Sequence, residues 1–185
     1  MRVIAGEARG RRLLSPAGLE VRPTADRFRE TLFDIIGPDI IGRAFLDLFA
    51  GSGAVGIEAL SRGAEFAAFA DNSPAAAKVI EKNIALVKYQ SKSLVLEADC
   101  LEALRVLAEG GRSFDFIFMD PPYHKNLCPA CLKRVWDLGL LREDGLIVVE
   151  KAPDEELPDA EGFVKARVKG YRATEFVFLR KAFTE

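Results

Sequence analysis

The stretch LDLFAGSGAVGIEAL, residues 46–60, constrains the fold most. An apolar run of strand type stops at a glycine-rich loop, and a helical run starts directly from that loop. Gly51, Gly53 and Gly56 satisfy G-x-G-x-x-G, a spacing that lets a chain turn tightly from a parallel strand into a helix. The alternation then continues. AFLDLFA (44–50), FAAFAD (66–71), SLVLEAD (93–99), FDFIFMD (114–120) and GLIVVE (145–150) read as strands. AVGIEALSRG (54–63) reads as a helix ending at Gly63. Ser73 is expected to cap a helix with Pro74 at its first position, running to about Val87. Two more helices are expected over about Leu101–Ala108 and Leu127–Leu138. Strands alternating with helices need crossover connections, hence a mostly parallel, Rossmann-like α/β sheet covered on both faces. FVKARVKGY and ATEFVFLRK, two strands around Gly170, are joined too closely for a crossover. They are expected to form an antiparallel C-terminal hairpin at the sheet edge.

Ahead of this alternation, MRVIAGEARGRRLL reads as a small hairpin turning at Gly6–Glu7. TADRFRETLFDII (24–36) reads as a helix with Thr24 as its N-cap and Phe28, Leu32, Phe33, Ile35 and Ile36 on its apolar side. No repeat or long linker divides the chain. Residues 1–185 are therefore expected to form a single domain with an N-terminal arm over about residues 1–22. Apolar residues are 49% and charged residues 29%, which reads as soluble and globular. No run approaches the roughly 18 apolar residues of a membrane span. Glu7, Arg9, Arg11 and Arg12 come too early for a signal-peptide core. Three cysteines imply no disulfide framework and fit a reducing cytoplasm. The net charge of −2 carries no overall nucleic-acid signature, but residues 1–30 hold seven arginines against four acids. Lys165, Arg167, Lys169 and Arg172 form a second basic stretch. Such patches suit a local anionic contact, although a solvated surface would explain the charge alone.

The glycine loop with Asp71, 20 positions after Gly51, is also what a nicotinamide-dinucleotide site shows. By itself it says only that a nucleoside-containing ligand lies over the carboxyl ends of the strands, with Asp71 on a ribose hydroxyl pair. Asp47 breaks the tie. It precedes the loop where a pyrophosphate would sit, and its charge would repel that group. It suits instead the ammonium and sulfonium of S-adenosylmethionine. Asp99, followed by Cys100, ends the third strand and is placed to meet the adenine amino group. Each acid alone could be a helix cap; three at the ends of successive strands point to a shared ligand.

The fourth strand ends in Asp120-Pro121-Pro122-Tyr123. Asp120 and Pro121 each precede a proline and are pushed toward extended conformations, and the prolines remove two backbone donors. What remains is acceptor capacity: the Asp120 carboxylate and free carbonyls. An exocyclic base amine has two hydrogens to donate and a lone pair conjugated with the ring. Two acceptors can hold it, draw it toward tetrahedral geometry and aim the lone pair at a methyl group. Tyr123 offers a face for base stacking.

DLFAGSG followed by DPPY resembles amino-group methyltransferases, including those acting on adenine N6. MRVIAGEARGRRL, LEVRPTADRFRETLFDII and LDLFAGSGAVGIEALSRGA together resemble the RsmD family, the bacterial 16S rRNA guanine-N2 methyltransferases. RPTADRFRE is the most specific segment, and the likeness covers nearly the whole chain to about Glu150. The resemblance implies the class I S-adenosylmethionine-dependent methyltransferase fold, S-adenosylmethionine as donor, and 16S rRNA guanine within assembled small subunits as acceptor. It matches Asp120, Pro121, Pro122 and Tyr123 to the catalytic tetrad, and Gly51, Gly53, Asp71 and Asp99 to the cofactor site. Asp71 stands where relatives often have Glu. Arg9, Arg11, Arg12, Arg22 and Arg27 are the expected rRNA contacts. A cytoplasmic monomer is expected.

Cys128-Pro-Ala-Cys131 with His124 lacks a fourth ligand at zinc spacing and a thioredoxin-like setting, so no metal is expected. Two semi-buried thiols at a helix start explain it, and Trp136 reads as core. An adenine-N6 DNA or RNA methyltransferase, a non-catalytic RNA-binding assembly factor and, more distantly, a dinucleotide oxidoreductase are the competing readings. A DNA enzyme would usually carry a larger recognition region than this chain holds, and the intact tetrad argues against the assembly factor.

Overall fold

The computed structural model describes residues 1–15, 23–122, 127–171 and 174–182. Strands β1 (Ala44–Asp47), β2 (Phe66–Asp71), β3 (Ser93–Glu97), β4 (Phe114–Met119) and β5 (Leu141–Lys151) are interleaved with α2 (Ala54–Ser61), α3 (Pro74–Val87), α4 (Cys100–Glu109) and α5 (Leu127–Asp137). Helix α1 (Pro23–Ile36) precedes them, and β6 (Phe163–Tyr171) and β7 (Thr174–Lys181) follow. They build one seven-stranded sheet in the order β3-β2-β1-β4-β5-β7-β6. The first five strands are parallel, and β7 runs antiparallel to both β5 and β6. Strand order reverses at β1 and β4, where open α/β sheets form their ligand crevice, outside the carboxyl ends of the strands.

Both sheet faces are covered. Phe33 of α1, Ile57 of α2 and Ile80 and Ile84 of α3 join Phe45, Phe69, Phe116, Phe176 and Phe178 in one core. Leu104 of α4 and Cys131 and Leu132 of α5 join Leu46, Ile117 and Ile147 in the other. Successive strand residues point to opposite faces, which is why these fully buried strands read as continuous apolar runs rather than alternating ones. Trp136 is partly buried and meets Phe163 edge-on, with centroids 5.6 Å apart.

Most expected boundaries hold within a residue or two, and the departures have physical causes. β1 stops at Asp47 rather than residue 50. Beyond it the Leu48 N–H donates to Phe118 in β4 and the Ala50 N–H to Ala70 in β2, so the chain leaves the ladder while still held by both neighbours. β5 starts at Leu141, which pairs with Phe114 ahead of a register shift. Gly170 pairs with Glu175 inside the β6–β7 ladder, so the hairpin turn lies beyond it. α1 already includes Pro23, so Thr24 sits in its first turn and is not the cap; proline's preset φ favours the first helical position. Ser73 does cap α3, its Oγ accepting from the Ala76 N–H, with Pro74 first.

The N-terminal hairpin forms as an antiparallel bridge of Arg2 with Arg12, flanked by the Val3, Gly10 and Leu13 amides donating to the Arg11, Val3 and Met1 carbonyls, and its turn is wider than Gly6–Glu7. The amides around the turn bond α2 instead. The amides of Ile4 and Ala5 donate to the Glu58 carboxylate of α2 at 2.8 and 2.9 Å. The Glu7 amide bonds the Ser61 carbonyl and the Ala8 amide the Ser61 Oγ. The arm is thus zipped to itself and also docked on α2 through its turn.

Candidate active site

Asp47, Asp71, Asp99 and Asp120 follow or end β1, β2, β3 and β4, which are neighbours in the sheet. At about 4.8 Å per strand they line one sheet edge over roughly 14 Å, the reach of a nucleoside with a short polar tail. The loop between β1 and α2 folds over this edge. Gly53 takes φ +77° at the N-cap of α2, a left-handed conformation that favours glycine. A Cβ on Gly56 would come within 2.3 Å of the Phe69 ring, so the third glycine lets the helix approach β2.

Each acid has a defined setting. Asp71 accepts from the Gly51 N–H with Oδ2 at 2.8 Å and from the Ser73 N–H with Oδ1 at 2.9 Å. This locks the carboxylate's orientation and leaves a second lone pair on each oxygen for a diol. Asp99 caps α4, its Oδ1 accepting from Leu101 and Glu102 amides, and its side chain is exposed. Cys100 opens that helix, and its thiol is held down to about 7, chiefly by a hydrogen bond from the Cys131 thiol. That same contact, with burial, pushes the Cys131 thiol strongly up. The two cysteines of C-P-A-C, Cys128 and Cys131, are more deeply buried in α5 than expected.

Asp47 is 1% exposed and accepts from the Gly56 N–H at 3.0 Å. It therefore occupies a helix N-terminal amide that a pyrophosphate would use in a dinucleotide site. Burial pushes its carboxyl up to about 7 against the pull of the Gly56 amide, and the charges of Asp120 and Asp71 add to the rise. Asp120 is open to water at its surface, yet protein crowds it on the wider scale over which solvation acts. That desolvation raises its carboxyl to about 6. Among the described residues, none donates a hydrogen bond to the Asp120 carboxylate or to the Pro121 carbonyl. Pro121 is buried and Pro122 exposed. The edge is a crowded acidic site in which the Gly51 and Gly56 amides are already occupied by Asp71 and Asp47. It fits a cationic, hydrogen-donating ligand better than a phosphate.

Of the expected nucleic-acid contacts, Arg9, Arg11, Arg12 and Arg27 are exposed and make no ion pair among the described residues. Tyr123, His124, Arg22 and Arg172 lie outside the described residues. Arg29 is different: it is 3% exposed and bonds the Arg2 carbonyl and Asp26, tying α1 to the arm. Residue patterns also missed Asn83. Its amide donates to the Leu14 and Ser52 carbonyls, and its Oδ1 accepts from the Leu14 N–H. It joins the arm to the glycine loop. The available signal was a polar residue inside the apolar stripe Ile80–Ile84–Val87; Glu58, inside AVGIEALS, gave the same signal. A groove of about 470 Å³ lined by Pro153, Leu157, Lys165, Val168 and Glu175 contains none of the expected site residues.

Comparison with known proteins agrees with this architecture. The family model for conserved hypothetical protein 95 matches residues 1–180. Bacillus subtilis YlbH is 39% identical over 182 residues, covering 98% of this chain and 99% of that protein. Ribosomal RNA small subunit methyltransferase D of Escherichia coli is 38% identical over 158 residues, covering 85% of this chain and 78% of the relative. The solved structure of Escherichia coli yhhF superposes with a TM-score of 0.86 at 35% identity, covering 98% of this chain and 97% of that one. The sheet with its reversed final strands is that of the class I methyltransferases. A match this complete, from the docked arm through the acidic edge to β7, makes the chain a member of the RsmD family.

Proposed function

We propose that this protein transfers a methyl group from S-adenosylmethionine to the exocyclic N2 amine of a guanine in small-subunit (16S) rRNA. The observation that carries the reading is the acidic edge: the charges of Asp120 and Asp71 add to the cost of ionising buried Asp47, and Asp120 has no donor among the described residues. A cationic donor relieves that repulsion, and an amine supplies the missing hydrogens. The likeness to ribosomal RNA small subunit methyltransferase D supports rRNA as substrate; guanine N2 comes from the RsmD resemblance. On this reading residues 1–185 act as one methyltransferase domain, monomeric and cytoplasmic, with no metal in the reaction.

When bound, S-adenosylmethionine supplies an electrophilic methyl group. Asp71 holds the ribose hydroxyls, Asp99 and the helix start at Cys100 meet the adenine edge, and Asp47 faces the positive charge of the tail. Gly51 and Gly53 let the backbone approach the ligand. The Asp120 carboxylate and the Pro121 carbonyl accept the two amine hydrogens and aim the nitrogen lone pair. Pro122 stiffens the turn, and Tyr123 stacks on the base. Asp120 then accepts a proton from the amine once it has become cationic. Exposed arginines of the arm and α1 hold rRNA phosphates.

The test is to offer labelled S-adenosylmethionine with small ribosomal subunits, naked 16S rRNA and duplex DNA, and to identify the methylated nucleoside. N2-methylguanosine in rRNA is the expected product, best from assembled subunits, since one short arm reads little sequence alone. N6-methyladenine would move the reading to the adenine enzymes. Tight rRNA binding without any transfer would make the chain an assembly factor.

A further inference from the structure

We infer that the outer strand β6 carries a second rRNA-binding surface, with Arg167 and Lys169 contacting phosphates alongside α1 and the arm. The inference rests on the rRNA methyltransferase reading above. In a regular strand Lys165, Arg167 and Lys169 would share one face. The ladder prevents this. Lys165 pairs with Leu179 and Arg167 with Phe178, with a register shift between them. Two consecutive β7 residues point to opposite faces, so the extra residue sends Lys165 to one side of the sheet and Arg167 and Lys169 to the other. Lys165 meets Asp159 at 3.1 Å. Arg167 and Lys169 stand beside Phe178 and Phe176, on the face that carries α1, α2, α3 and the arm.

That face leads to the acidic edge. Phe28 of α1 rests on Phe176, with centroids 4.2 Å apart. Phe176 is the cross-strand neighbour of both Lys169 and Glu150, near the carboxyl end of β5. Phe33, further along α1, lies over Phe45 near the start of β1. The N-terminal half of α1, with exposed Arg27, therefore points toward the Asp120 side of the sheet, with Lys169 beside it. β6 stands three strand spacings from β4, about 14 Å, close enough for one rRNA segment to touch both. Lys151, Lys165 and Lys181 each have an acid partner. Arg167 and Lys169 have none among the described residues. Glu30 and Asp34 of α1 are exposed nearby in sequence to Arg27, so the track is the arm, the start of α1 and β6 rather than the whole helix.

Charges on an edge strand also discourage pairing with other sheets. That role would need no particular face, and Lys165 would serve as well as Lys169. The experiment uses this difference. Binding to 16S rRNA and to small subunits is titrated over a range of salt for the wild type, Arg167→Ala/Lys169→Ala and Lys165→Ala. The double variant should lose about 1.4–1.8 from the log–log salt slope and bind roughly 25- to 60-fold more weakly at 0.1 M salt. Lys165→Ala should match the wild type. Melting temperature and S-adenosylmethionine affinity should be unchanged in both; Arg167→Gln/Lys169→Gln repeats the titration if the alanines lower the melting temperature. An unchanged slope in the double variant, or an equal loss in Lys165→Ala, overturns the inference while a wild type that still binds and methylates rRNA keeps the parent reading. A wild type that binds no rRNA at low salt overturns both.

Discussion

Asp47 accepts a hydrogen bond from the Gly56 amide, yet its carboxyl is pushed up to about 7 because burial costs the anion more than one amide returns. An acid whose folded pKa exceeds its ordinary 3.8 binds more protons folded than unfolded between those values. Stability therefore falls as pH rises from about 4 to about 7, and levels off above. Asp47→Asn keeps an oxygen for Gly56 and removes the charge. It should melt higher than the wild type at pH 8, by roughly 2–4 °C for each kcal/mol recovered, with the advantage gone near pH 4. The same variant should bind S-adenosylmethionine more weakly, because the cation loses its counter-charge. A melting difference that does not change with pH would show that Asp47 is not the buried acid responsible. On the proposed reading Asp120 faces a different demand: its carboxyl, raised to about 6, must be ionised to accept amine hydrogens. Single-turnover transfer should rise with pH and level near or below 6, since a bound cation favours the ionised form. Asp120→Ala should lower the plateau by on the order of 100-fold with cofactor affinity nearly intact. A near-normal rate would reduce the Asp-Pro-Pro segment to a turn.

Helix α3 shows what an element does beyond covering the sheet. Asn83 is fully buried and spends all three of its hydrogen bonds on Leu14 and Ser52. Asn83→Ala would take the partner from those backbone groups, and of the two residues only Leu14 is exposed. The cost should be about 2–3 kcal/mol, a melting shift of roughly 5–10 °C. Hydrogen exchange at the Val3, Gly10 and Leu13 amides should speed up with it. Exchange as slow as in the wild type would mean that Glu58 and Ser61 hold the arm without Asn83. The elements themselves were legible in the sequence because their signals are local. Gly53 and Gly56 mark the strand-to-helix turn, Ser73-Pro74 a helix start, and the apolar runs buried strands. The acid series was legible for the same reason, each acid sitting where a strand ends. The docking of the arm was not, since Ile4 to Glu58 and Leu14 to Asn83 span 54 and 69 residues. Nor was the shift in β6, because alternation predicts one face for Lys165 and Arg167, and only pairing with β7 separates them.

Across the described residues the charge is divided by location: Asp47, Asp71, Asp99 and Asp120 line the carboxyl ends of the strands, and Arg9, Arg11 and Arg12, which form no ion pair among the described residues, stand on the arm docked on α2. A chain of net charge −2 gains little from its overall field in meeting RNA, so attraction has to come from local clusters acting within about a Debye length. Arg11 and Arg12 are exposed, adjacent and without ion pairs among the described residues. The arm under them is held by Glu58 and Ser61 rather than by these arginines. Removing their charge should therefore cost binding without unfolding the arm. Arg11→Ala/Arg12→Ala should flatten the salt dependence of rRNA binding by about 0.7–0.9 per lost contact on a log–log plot. S-adenosylmethionine affinity measured without RNA should stay the same. On the proposed reading phosphate contacts position the substrate and Asp120 acts on the amine, so at saturating small subunits the single-turnover rate should recover toward that of the wild type. A rate that stays low at saturation would place these arginines in the chemistry rather than in capture. An unchanged salt slope would return them to the solvated surface and leave β6 and α1 as the remaining route by which this acidic protein meets rRNA.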